Sequence, residues 1–227
     1  MSVTLLPMDP RNTGFDYQHS RAEGDAVVRR GLLEVALRLL ADQGPQFLTL
    51  RTLAKRANCS TKVVYTLFGG KNGLSEGLKV EGFSQLRFAV DRERRRHRDP
   101  VRALPSIMMT YRGFALSHRA LFGVMFGNAL PEHVPTEYSR EQARLALGAV
   151  EAAVRDARAT LGSEPVDAFE AAVRLWAAVH GPVALELEGI PPFGSDGERL
   201  ARLAVTDVLS ALRLTRSPSL AHPESLP

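Results

Sequence analysis

The feature that most limits the fold is a spacing of three to four residues between apolar side chains, sustained along most of the chain and interrupted at glycine and proline. Leu32, Val35, Ala36, Leu39 and Leu40 form one such stripe. It closes at Gln43-Gly44-Pro45, where glycine ends a helix and proline blocks its resumption. No stretch alternates polar and apolar residues as a half-buried strand requires. The chain is therefore expected to be all-α. Its punctuation places helices at 24–43, 50–57 and 61–67, then one from Lys71 into the charged run "DRERRRHRD". Further helices are expected near 101–118, 119–127, 137–161, 165–188 and 196–214. Several starts carry a mechanism: Thr49 and Ser60 are placed as N-caps, Asp99-Pro100 and Glu164-Pro165 as cap and first turn, and Ser195 with Glu198 as a capping box.

Residues 1–20, rich in turn formers and poor in periodicity, are expected to be a loose arm, and 217–227 a disordered tail. Between them lie a small front domain, 21–75, and a larger helical one, 76–216. With 44% apolar and 24% charged residues in 227, the chain can bury a core without staples. The opening "MSVTLLPMDPRNTGF" lacks a basic stretch followed by a sustained apolar run, and nothing approaches the roughly 20 apolar residues of a membrane span. A cytoplasmic protein without membrane contact is expected. The single cysteine, Cys59, rules out an internal disulfide framework and a multi-cysteine zinc site.

Charge is unevenly distributed. Residues 1–75 hold 10 Lys and Arg against 6 Asp and Glu, whereas 76–227 hold 19 of each, so the front part carries the whole formal charge of +4. Such asymmetry suits a chain that meets a polyanion at one end.

Within the front part, "LRTLAKRANCSTKVVYTLFG" spaces Leu53, Ala54, Ala57, Cys59, Val64 and Leu67 so that two short helices crossing steeply share one apolar contact. Ala54 is small enough for close approach, and Asn58 stands where the backbone needs positive φ. This is a helix-turn-helix pattern. Ser60 caps its second helix; Thr61 and Lys62 project from the first turn, where a recognition helix reaches base edges, and Lys62 can donate to guanine. Val63 and Thr66 offer contact to a thymine methyl, and the Tyr65 hydroxyl can reach phosphate. Thr49, Arg51 and Lys55 belong to the helix that crosses the backbone, and Lys71 opens the next helix, whose free N–H groups favour phosphate. Phe68 falls on the buried side. The "GGK" is not a nucleotide loop, because Tyr65 and Asn72 occupy the positions where that motif needs glycine and a hydroxyl.

The segment "LTLRTLAKRANCSTKVVYTLFGGKNGL", preceded by "VVRRGLLEVALRLLADQG", closely resembles the N-terminal domain of the TetR family of bacterial transcriptional regulators. The T-L-x-x-L-A, S-x-x-x-x-Y-x-x-F and K-x-x-L elements fall in register without a gap. Asn58 departs from the usual turn glycine, and Leu67 from a residue that often lies near the phosphates. "YRGFALSHRALFGVMFG" and "WAAVHG" look like the C-terminal domain of an actinobacterial-type subgroup. The resemblance implies a homodimer that binds a short palindromic operator in double-stranded DNA and releases it when a small molecule enters the C-terminal domain.

In that second half, 171–185 contains one charged residue, Arg174, so its helix must be covered on nearly every side. Phe169, Val173, Trp176 and His180 form one stripe, assigned to the interior. Ala172, Leu175 and Val179 form another, assigned with Val205, Val208, Leu209 and Leu212 to a four-helix contact with a partner subunit. A helix central to a monomer is the alternative. Met108, Tyr111, Phe114, Met125, Trp176 and His180 are candidates to line an apolar effector site, with Pro182 kinking the helix beside it; the same residues also suit an ordinary core. "RERRRHR" reads as a solvated connection. The six histidines are scattered, with no H-E-x-x-H, Cys/His metal spacing or G-x-S-x-G elbow, so neither enzyme nor bound metal or cofactor is expected. A DNA-binding protein without an effector is the other reading, with a helical enzyme the less favoured third.

Overall fold

The computed structural model describes residues 24–127, 135–162, 167–190 and 193–215. The expected arm and tail, and the Glu164-Pro165 helix start, lie outside them. The described residues form nine α-helices and no strand: α1 Asp25–Gln43, α2 Leu50–Arg56, α3 Thr61–Phe68, α4 Lys71–Arg96, α5 Pro100–Ser117, α6 Arg119–Phe126, α7 Glu137–Leu161, α8 Ala168–Leu187 and α9 Phe193–Ala211, with a 3₁₀ turn at Pro45–Phe47. None is long and apolar enough to cross a membrane.

Most starts follow the caps legible in the sequence. Thr49 accepts from Thr52 N–H at 3.0 Å, Ser60 from Val63 N–H at 3.4 Å, and Asp99 from Val101 N–H at 3.0 Å. Two starts differ. Asp167 caps α8, accepting from Phe169 N–H at 2.8 Å, and α9 begins at Phe193, ahead of the expected Ser195 box.

Packing divides the chain into two units. The first contains the described residues up to Phe83 together with 118–142, so it extends past residue 75 and takes in α6; the second holds 84–117 and 143 onward. In the first unit, the expected stripe of α1, Leu32, Val35, Ala36, Leu39 and Leu40, is buried and shares a core with Leu53, Ala54, Ala57, Val64, Phe68, Leu74 and Leu78. Val124 brings α6 into that core. Glu76 of α4 secures the start of α7, accepting from the Thr136 hydroxyl and from Ser139 N–H.

In the second unit, α8 packs most extensively against α9 and next against α5. A further tie joins α4 to α7 there, where Arg94 Nε donates to Asp156 at 2.7 Å.

Candidate functional site

α2 and α3 meet at a tight reversal. Ala57 N–H donates to Leu53 O at 2.9 Å and Cys59 N–H to Ala54 O at 3.0 Å, and Asn58 turns the chain at φ 49°. Asparagine enters this left-handed region more readily than other side-chain-bearing residues, which accounts for its place where the family has glycine. Cys59 is half-buried, and burial pushes its thiol up, away from the thiolate that nucleophilic chemistry needs.

Anchoring of α3 is one-sided. Val64 and Phe68 are buried, and the Arg29 guanidinium lies 5.0 Å from the Phe68 ring centroid, locking α3 to α1. A Cβ on Gly73 would sit 1.7 Å from the Phe68 carbonyl oxygen, so only glycine lets the first turn of α4 close against the end of α3. The other side of α3 is open: Thr61, Lys62, Tyr65 and Thr66 are exposed, Tyr65 to 61%. Thr66 Oγ1 donates to Lys62 O at 2.9 Å, which occupies its hydroxyl and leaves its methyl as the part able to meet a base. Thr49, Arg51, Lys55, Ser60 and Lys71 are also exposed. Val63 is half-buried and packs against the core, and Thr66 is the more exposed of the two apolar contacts expected on this side.

The electrostatics of this surface were legible and overlooked. From Gln43 to Ser75 the chain has no carboxylate, while Arg51, Lys55, Arg56, Lys62 and Lys71 supply cations. No acidic residue within the segment offsets their potential.

A second constellation lies in the second unit. Tyr111 on α5 is 2% exposed, and its hydroxyl is 2.6 Å from His180 Nδ1 on α8. The Trp176 and Tyr111 rings meet edge-to-face with centroids 5.2 Å apart. Burial pushes the Tyr111 hydroxyl well up and the His180 imidazole down, so both are neutral near pH 7. Ile107, Met108 and Phe114 are buried on the same helix as Tyr111. Trp176 and His180 themselves are half-buried. A groove of about 410 Å³ lies along α9, lined by Asp196, Glu198, Arg199, Arg202, Leu203 and Thr206. Among the described residues no three His, Cys, Asp or Glu side chains are placed to hold a metal ion.

Two family profiles match the chain: "Bacterial regulatory proteins, tetR family" over residues 32–78 and "Tetracyclin repressor-like, C-terminal domain" over 104–208. The chain belongs to the TetR family. It is 25% identical over 208 residues to an HTH-type transcriptional regulator of Mycobacterium bovis, covering 78% of this chain and 86% of that one. A solved protein of unknown function from Rhodococcus sp. RHA1 superposes with TM-score 0.70 at 26% identity, covering 81% of this chain and 94% of that one. SmeT, the repressor of the Stenotrophomonas maltophilia multidrug efflux pump SmeDEF, superposes with TM-score 0.61 at 25% identity, covering 88% and 95%, and has also been solved as a complex with triclosan.

For a TetR-family chain, the placement of the C-terminal candidates is informative. Met108, Tyr111, Phe114, Trp176 and His180 belong to one unit. Met125 does not: it sits on α6 in the first unit, against Gly82 of α4, where a Cβ would lie 2.5 Å from its sulfur. The stripes of α8 are divided otherwise than expected, with Trp176 and His180 meeting Tyr111 while the rest of their stripe is exposed. Ala172, Leu175 and Val179, expected to meet a partner, are 0% exposed within one subunit, and Val205, Leu209 and Leu212 of α9 are exposed by 1%, 2% and 6%; Val208 is half-buried. Phe169 and Val173, expected inside, are 47% and 40% exposed, as is Leu203 on α9 at 47%. α8 packs chiefly against α9 and next against α5 of the same subunit.

Sequence reasoning also missed Arg112. Its Nε donates to Glu186 Oε2 at 2.9 Å, its Nη2 to Glu186 Oε1 at 2.6 Å, and its Nη1 lies 3.5 Å from Glu198. Glu186 thus faces a cation. A lone charge in the otherwise uncharged stretch 103–117 was the available signal, but its main partner, Glu186, is 74 residues away.

Proposed function

We propose that this TetR-family protein is a cytoplasmic homodimeric repressor, binding a palindromic operator through α3 and released from it by a small, largely apolar effector held in the second unit. The observation that carries the DNA half of this reading is the one-sided anchoring of α3: Val64 and Phe68 buried, Thr61, Lys62, Tyr65 and Thr66 open, in a segment devoid of carboxylates. In such a dimer two α3 helices must stand about 34 Å apart to enter successive major grooves. Lys62 reads guanine, the Thr66 methyl reads thymine, and Thr49, Arg51, Lys55, Tyr65 and Lys71 hold phosphates.

Support for the dimer comes from Phe169, Val173 and Leu203, large apolar side chains exposed on α8 and α9. These, in place of the buried stripe, form the contact across the two-fold axis. Support for the effector comes from the Tyr111–Trp176–His180 cluster and from SmeT, whose complex with triclosan gives a small-molecule precedent at 25% identity. An effector that binds better when the α3 helices are differently spaced shifts the population off DNA by its differential affinity.

The test uses a duplex selected from a random pool by the wild-type protein. Lys62→Ala is expected to lose about 1–3 kcal/mol of affinity for that duplex, with less loss on duplexes altered at the guanine it reads. Unchanged affinity would remove α3 from the interface. The Tyr111 hydroxyl, already taken up by His180 at 2.6 Å, favours one other reading, a TetR-type DNA-binding protein with no effector. That reading gains if no compound that alters Trp176 emission weakens the selected complex.

A further inference from the structure

Phe68 is the last residue of α3, and side chains and backbone of two other helices of the first unit close on it. α4 turns two glycines, one turn apart, toward it. A Cβ on Gly73 would strike the Phe68 carbonyl oxygen, and one on Gly77 would lie 3.3 Å from Cε1 of the ring. From α1 comes Arg29, its guanidinium carbon over the ring at 5.0 Å from the centroid. Gly77 makes room for this contact too, since the same Cβ would stand 3.0 Å from Arg29 Nη2 and 3.1 Å from Leu33 Cδ2. Arg29 is half-buried, and among the described residues no carboxylate pairs with it, so the ring fixes where the guanidinium lies.

This joint has leverage. α1 packs less extensively on α3 than on α2 or α6, so a single contact at Phe68 is a large part of what α1 does to α3. Lys62 lies about 9 Å along the helix from Phe68, at about 1.5 Å per residue. A tilt of about 10° set at Phe68 therefore displaces Lys62 by about 1.5 Å, more than the spread of good hydrogen-bond lengths.

Resting on the DNA reading above, we propose that Arg29 is a positioning residue for base recognition: held over Phe68, it sets the tilt at which α3 presents Lys62, and thereby how sharply the protein separates its operator from other DNA, without touching a base itself. A phosphate contact raises affinity for every duplex, whereas a correctly set tilt raises it only where the bases match.

Two variants of the full chain test this. Arg29→Met keeps an apolar stem against the ring and removes the charge; Arg29→Lys keeps the charge and offers a compact, strongly hydrated ammonium in place of the broad guanidinium. Each is titrated by fluorescence anisotropy against the selected duplex and against that duplex altered at the guanine Lys62 reads, over a range of salt, with its urea midpoint measured alongside. The ratio of the two affinities is expected to fall about fivefold in Arg29→Met and at least about twofold in Arg29→Lys. Affinity for the altered duplex and the slope of log affinity against log salt should stay near wild type. In a Phe68→Leu background Arg29→Met should cost no further discrimination, because the ring it acts on is gone.

An unchanged ratio in both variants would overturn the proposal. Equal loss on the two duplexes would overturn it as well: with the slope reduced by about 1 in Arg29→Met it makes Arg29 a phosphate contact, and with the slope unchanged and the urea midpoint lowered it makes Arg29 a packing residue only. Should Arg29→Met fail to fold, the ratio in Arg29→Lys decides. A loss in Lys62→Ala beside an unchanged ratio in the Arg29 variants sinks this inference alone, whereas no loss in Lys62→Ala sinks the DNA reading and this inference with it.

Discussion

Replacing Arg112 by methionine keeps much of the side-chain volume and removes the charge, and the geometry fixes what that should cost. Arg112 and Glu186 form a two-bond pair at 2.6 and 2.9 Å with side chains 17% and 11% exposed, so solvent screens them little. Glu198 is more exposed, and its carboxyl is held down chiefly by its hydrogen bond to Arg202, so it contributes little to the balance at Arg112. Deleting one member of a buried pair strands the other, typically at 3–5 kcal/mol. Arg112→Met is thus expected to cost about 3 kcal/mol at pH 7. Urea unfolding followed by Trp176, the sole tryptophan and in the same unit, reads this as a midpoint lowered by about 1 M or more at pH 7. The double variant Arg112→Met/Glu186→Met should return to within about 1 kcal/mol of wild type, because no charge is left unpaired. A single variant costing under about 1 kcal/mol at pH 7, or a double variant as unstable as the single, would refute the reasoning.

Three further outcomes are expected. Phe169→Asp or Leu203→Asp should shift sedimentation toward single subunits with little change in subunit unfolding, whereas Leu175→Ala should destabilise the subunit itself by about 2–5 kcal/mol through a core cavity. Asn58→Gly should raise stability of the first unit by up to about 1 kcal/mol, since glycine adopts φ 49° without strain, as urea midpoints from circular dichroism would show. Lys71→Ala should weaken binding to all duplexes alike and reduce the slope of log affinity against log salt by about 1, measured by fluorescence anisotropy.

The parts of this protein that were legible in advance are those written within a few residues. The caps at Thr49, Ser60 and Asp99 are contacts across two or three positions, so reading the residue and its successors is enough. Asn58 is similar: the turn between two short helices dictates its φ whatever lies elsewhere. Val63 was harder to place, because the fourth position of a capped helix start lies at the edge of the buried stripe, where one wheel position separates exposed from wedged. For Met125, composition says that methionine suits a pliable site without saying which site. Only the approach of α6 to α4 at Gly82 places it.

Sequence alone determined the helices, the turn that sets α3 on α2, and the concentration of positive charge at the front, because backbone hydrogen bonding, capping and apolar spacing act over one or two turns. Tertiary structure decided which side of α8 is inside. A helix apolar on two faces announces that both are covered and carries no mark distinguishing a neighbour in the same chain from one in another. The same holds for Tyr111 with His180 and Arg112 with Glu186, partners 69 and 74 residues apart. Their attraction depends on burial and on a few tenths of an ångström of separation, and neither exists until α5, α8 and α9 have packed.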